Sequence, residues 1–107
     1  MKIKRIKTLR VNSYVFKVNW TKEEEGACFS FRDKKLNIGV KKFDGIERDD
    51  IELFAFLCHE LQEICAVDMH IRFNRPDCST DFIFCYDHRQ HDNLTNMFAG
   101  LMIQFLE

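Results

Sequence analysis

Residues 51–67 read IELFAFLCHELQEICAV and form the longest apolar-rich run in the chain. At about 100° per residue the run is an amphipathic helix. With His59 as the zero angle, Glu63 lies about 40° away and Glu52 about 20° away, in one stripe. Leu61, Phe54, Cys58 and Cys65 gather near about 200–260° on the same scale. The helix thus has an apolar side and, opposite it, a polar side with His59, Glu60, Gln62 and Glu63. Taken alone, such a polar side is what the solvated face of any amphipathic helix presents.

The flanks of this run set the rest of the fold. Asp49 and Glu52 have capping-box spacing, which starts the helix there. The helix is expected to run to about residue 69, since Asn74, Arg75 and Pro76 forbid its continuation. Upstream, residues 14–20 alternate, with Tyr14, Phe16, Val18 and Trp20 on one face and Val15, Lys17 and Asn19 on the other. Residues 27–32 and 36–40 alternate in the same way, joined by Asp33 and Lys34. TKEEEG at 21–26 and Phe43-Asp44-Gly45-Ile46 read as turns. Three short strands with short turns imply an antiparallel meander with one face buried. Residues 1–11 supply a basic edge strand.

Downstream, DFIFCY at 81–86 is β-branched and aromatic enough for a short strand. Asp87 then caps a final helix whose apolar positions, Leu94, Met97, Phe98, Leu101, Met102 and Phe105, repeat at three and four. The expected fold is α+β: a small antiparallel β-sheet packed against two main α-helices, as a single domain over residues 1–107.

Net charge is −1, but up to Arg48 the chain has 13 basic and 6 acidic residues, and after it 3 basic and 11 acidic. Two explanations stay open for the basic half. Lysines protect strand edges from pairing, or the strand side meets an anionic partner. Nucleic acid is the less favoured partner, because Tyr14, Phe16 and Trp20 share the apolar face of a strand. Five cysteines, an odd number, occur without a CxxC pair. With no apolar block in MKIKRIKTLR and no run long enough to span a bilayer, the expectation is a cytoplasmic protein with free thiols. Cys58 and Cys65 fall on the apolar side of the helix, which suits packing.

His59-Glu60-Leu61-Gln62-Glu63 resembles the HExxH helix of zinc metallopeptidases, with glutamate in place of the second histidine. A small sheet, the motif helix and a second helix with a third ligand, over roughly residues 35–107, are similar in layout to minimal, phage-type gluzincin-like proteins. That resemblance implies a zinc ion, ligands four residues apart on one helix face, and Glu60 as general base. In such relatives the second helix adds a carboxylate near its start. Here that region is Tyr86-Asp87-His88-Arg89-Gln90-His91-Asp92, and His91 stands three residues before Leu94, near the apolar face. His59, Glu63 and His91 would be the usual ligand set with two positions exchanged.

Alternatives stay open. His88 as a fourth ligand would close the site into a structural one. A buried neutral His91 needs no metal at all. Arg89 and Tyr86 stand where an oxyanion-stabilising group would be wanted. The expected activity is peptide hydrolysis by metal-activated water, with a peptide or protein partner along a sheet edge. The competing expectation is a non-catalytic binding or inhibitor protein on the same scaffold. The sequence does not decide whether the chain is an enzyme. His70 is expected at the helix C-terminus, without a role in the site.

Overall fold

The computed structural model describes residues 2–22, 26–42, 44–75 and 81–107. Parts of the two expected turns (residues 23–25 and Phe43), together with Pro76 and Cys78, lie outside the described residues.

The motif helix, α1 (Asp50–Asp68), starts as its sequence dictates. Asp49 accepts the backbone N–H of Glu52 at 2.8 Å, and the Glu52 carboxylate accepts the N–H of Asp49 at 3.4 Å. These two bonds satisfy donors that a helix start otherwise leaves open. The helix ends in a six-residue reversal. His70 N–H donates to the Val67 carbonyl and Ile71 N–H to the Ala66 carbonyl, with His70 at φ +59°. This is the Schellman arrangement, with histidine in the left-handed position that glycine usually fills.

Four strands precede α1: β1 (Thr8–Val11), β2 (Tyr14–Thr21), β3 (Ala27–Ser30) and β4 (Lys35–Gly39). They pair in the order β1-β2-β4-β3. β1–β2 and β4–β3 are antiparallel, whereas β2–β4 is parallel. The expected meander of β2, β3 and β4 therefore differs in one respect: β4 slots between its two predecessors. The burial explains the placement. Leu36, Ile38, Gly39 and Val40 are all buried, so this segment belongs inside the sheet, while β3 is at most half-buried and takes the edge.

One face of the sheet is apolar. Leu9, Val11, Phe16, Val18, Leu36 and Ile38 are buried there beneath the helices. The opposite face is open, with Thr8, Arg10, Val15, Lys17, Cys28 and Lys35 exposed. On the apolar side, α1 packs against β3 and against α2 (His88–Met102), and α2 against β1. Asp87 and Gln90 cap α2 reciprocally, each bond below 3 Å. A short 3-10 turn, Ile103–Phe105, buries Phe105 edge-on against Trp20, ring centroids 6.1 Å apart. The expected sheet and two helices are thus present as an α+β fold.

The chain end also closes one side of the sheet. The Gln104 amide accepts the N–H of Arg10 and donates to its carbonyl, both at 2.9 Å. Lys4 N–H reaches the Phe105 carbonyl at 2.7 Å, and Ile3 bridges Leu106. The outer edge of β1 is therefore paired at Arg10, while β3 forms the other edge of the sheet. After the reversal at His70 a two-stranded ribbon follows, β5 (Arg72–Asn74) with β6 (Phe82–Phe84), antiparallel. Among the described residues no helix is long and apolar enough to cross a membrane.

Candidate metal and acid–base site

The buried stripe of α1 consists of Leu53, Leu57, Leu61 and Ile64, with Cys65 on its flank, while the buried Ala66 lies on the His59 side. On the scale used above, the first four centre near about 150°, closer to Glu60 than the sequence pattern suggested. Glu60 therefore sits on the shoulder of that stripe and is only 8% exposed. The polar side of the helix is not uniformly solvated. The His59 side chain is 71% exposed, while that of Glu63 is 18% exposed.

His59, Glu60 and Glu63 each offer one ligand atom, and these atoms lie within 4.8 Å of one another. His59 Nε2 is 2.8 Å from one oxygen of Glu63 and 3.9 Å from Glu60. The other oxygen of Glu63 accepts a bond from Arg72 Nη1 at 3.0 Å. Arg72 is held in turn by rings. Its guanidinium carbon is 3.9 Å from the Phe82 centroid and 5.4 Å from that of Phe29.

The Glu60 carboxyl is pushed up to about 7. Burial is the largest cause, and the charge of Glu63 adds to it, while His59 and Arg72 pull the other way. A carboxyl at that value exchanges protons near neutrality, which is what a general base or acid needs. The thiols do not compete for this role. Burial raises Cys58 and pushes Cys65 up to about 12, so both remain packing residues.

Two depressions flank the donors. A groove of about 390 Å³ lies between α1 and the edge strand β3, lined by Ala27, Ala55, Phe56, His59 and Glu60. A second, of about 270 Å³, has His59, Glu63, Phe84, Tyr86 and Leu94 among its walls. His59 borders both.

The second helix does not bring its histidines into the donor group. His91 is exposed, and its ring stacks on Tyr86, centroids 5.8 Å apart and 8° from parallel. The expectation that His91 lies near the apolar face of the helix is corrected by this exposure. The covered stretch of α2 begins one turn later, at Leu94, Met97 and Phe98. The His88 side chain is 90% exposed, 3.8 Å from Asp92, and Arg89 is exposed on the first turn. Among the described residues the converging donors are thus His59, Glu60 and Glu63 alone. Tyr86 does reach the second depression, beside His59 and Glu63.

Arg72 is the site residue that sequence patterns missed. The signal was present: a helix stop near residue 70 turns the chain back, and an arginine nine positions after Glu63 then runs alongside it.

One imidazole nitrogen and two carboxylates within ligand reach are a set that a divalent ion such as zinc accepts. Arg72 would stand behind Glu63 as the partner that fixes a ligating carboxylate. Compared with known proteins, the chain matches no family model, no curated protein and no solved structure.

Proposed function

We propose that the chain is a metal-dependent hydrolase of the metallopeptidase type, acting on an extended peptide. The observation that supports this best is the buried Glu60, grouped with His59 and Glu63 at the wall of a groove. His59 and Glu63, two of the three protein ligands a catalytic zinc site carries, would hold a zinc ion, with Glu60 next to it as the base. The chemistry such an ion supplies is Lewis-acid activation of water and of a carbonyl oxygen.

The chain's own residues do the rest. Glu60 takes a proton from water and returns it to the leaving amine, from a position 3.9 Å from His59 Nε2. Arg72 keeps Glu63 oriented. β3 offers a sheet edge along which a peptide can pair, and Ala27, Ala55 and Phe56 line an apolar groove for one of its side chains. The free thiols of Cys28, Cys58, Cys65 and Cys85 suit a reducing, cytoplasmic compartment.

A second reading is favoured by one contact. Arg72 at 3.0 Å already neutralises Glu63, so the cluster also works as an ion-pair network that ties the ribbon to α1. The chain would then bind a partner without catalysis. Zinc stoichiometry of protein purified without added metal separates the two. About one ion per chain supports the hydrolase, provided that Glu60→Gln keeps the ion and loses peptide turnover. Metal-free protein that takes up no zinc on titration leaves the ion-pair network.

A further inference from the structure

The open face of the sheet carries lysines where edge protection cannot account for them. Lys17 lies on β2 and Lys35 on β4, the two interior strands in the order β1-β2-β4-β3. They are direct partners in the parallel pairing, both exposed and on the same face. Like charges placed side by side cost stability, and lysine as a guard against edge pairing belongs on edge strands. Among the described residues no ion pair reaches Lys17, Lys35 or Arg10, and no strand of this sheet contains an acidic residue.

The register arranges this face in rows. Thr8, Lys17, Lys35 and Ser30 form one row straight across all four strands. Asn19, Asn37 and Cys28 form the next, with Asn19 Nδ2 donating to Asn37 Oδ1 at 2.9 Å. Arg10 stands opposite Val15 at the β1 side. At about 4.8 Å per strand, the first row spans about 14 Å.

We propose that this face docks on the phosphate backbone of double-stranded nucleic acid. Cations such as Lys17, Lys35 and Arg10 are the groups that meet phosphate oxygens, with the Thr8 hydroxyl beside them, while Ser30 is bonded to Asp33 and Asn19 to Asn37. A protein partner would call for aromatic or aliphatic anchors, and among the described strand residues Val15 is the single large apolar side chain on the face. Unpaired strands would call for rings on which bases stack, and the strand aromatics Phe16, Trp20 and Phe29 point to the other face. The acidic half of the chain, on the helical side, orients the approach so that the sheet leads. Among the described residues no element on the face is shaped to enter a groove, so the binding is indifferent to sequence. It stands apart from the metal site and does not depend on it.

The test is fluorescence anisotropy of a labelled DNA duplex titrated with the full chain. Binding at about 50 mM salt that weakens steeply as salt rises is expected. The double substitution Lys17→Ser with Lys35→Ser should weaken it about tenfold and flatten the log–log salt slope by about 2. Arg10→Ser, on the edge strand, provides a second probe with a smaller loss should the double variant fold poorly. The proposal is overturned if the wild-type chain does not bind the duplex at low salt, or if both variants bind as it does. It is equally overturned if a single strand or poly-glutamate binds more tightly than the duplex.

Discussion

Arg72 donates from Nη1 to Glu63 across 3.0 Å while its guanidinium lies 3.9 Å from the centre of the Phe82 ring. One side chain therefore joins the ribbon, the motif helix and the donor cluster. Replacing it with methionine removes a charge-assisted hydrogen bond and leaves Glu63 half-buried without its cation. A loss of about 1–3 kcal/mol is expected in urea unfolding. Arg72→Lys should recover only part of it, because an ammonium does not stack on the ring as a guanidinium does. Equal stability of wild type and Arg72→Met would show that the contact is ornamental.

Glu60 predicts a pH dependence of an unusual sign. Its carboxyl titrates near about 7 in the folded chain and near 4.5 when free. Between those values the native state holds more protons than the unfolded one, so metal-free protein loses stability as pH rises through that window. The decline totals about 3 kcal/mol and stops above about pH 7. Glu60→Gln should remove the slope, leaving the variant more stable than its parent at about pH 8. Parallel denaturation profiles for the two proteins would contradict the burial assigned to Glu60.

The proposed zinc site sets the converging donors apart from their sequence neighbours. Calorimetric titration should show that His59→Ala and Glu63→Ala lose most of the affinity, a drop of about tenfold or more. His91→Ala and His88→Ala should bind as the wild type does, since both side chains stand outside the cluster. A large loss with His91→Ala would reinstate it as the third ligand.

His70 occupies a left-handed position at φ +59° after α1. Glycine accepts that conformation without the clash of a Cβ atom, so His70→Gly should raise stability by about 1 kcal/mol. A β-branched residue, as in His70→Val, should lower it. Thermal unfolding of the three proteins checks the order.

Much of this was legible in the residues themselves. Asp49 with Glu52, and Asp87 by itself, mark the two helix starts, because a carboxylate at that position meets the helix's own backbone. Alternation through Phe16 and Val18 gave the buried face of the sheet. The convergence of His59 and Glu63 follows from helical spacing alone. What was hidden depended on contacts between distant parts of the chain. Alternation cannot say whether β3 or β4 lies inside, since either strand presents the same period. The burial of Glu60 turns on a small rotation of α1, set jointly by β3 and α2. The placing of His91 required knowing where the cover on α2 begins.

The Gln104 amide that mimics a neighbouring strand at Arg10 makes the molecule lopsided towards would-be additions. At Arg10 that flank already has its backbone donor and acceptor engaged, which leaves less for a second copy to pair with there. On the opposite flank β3 leaves an edge, and the groove beside it is walled in part by Glu60.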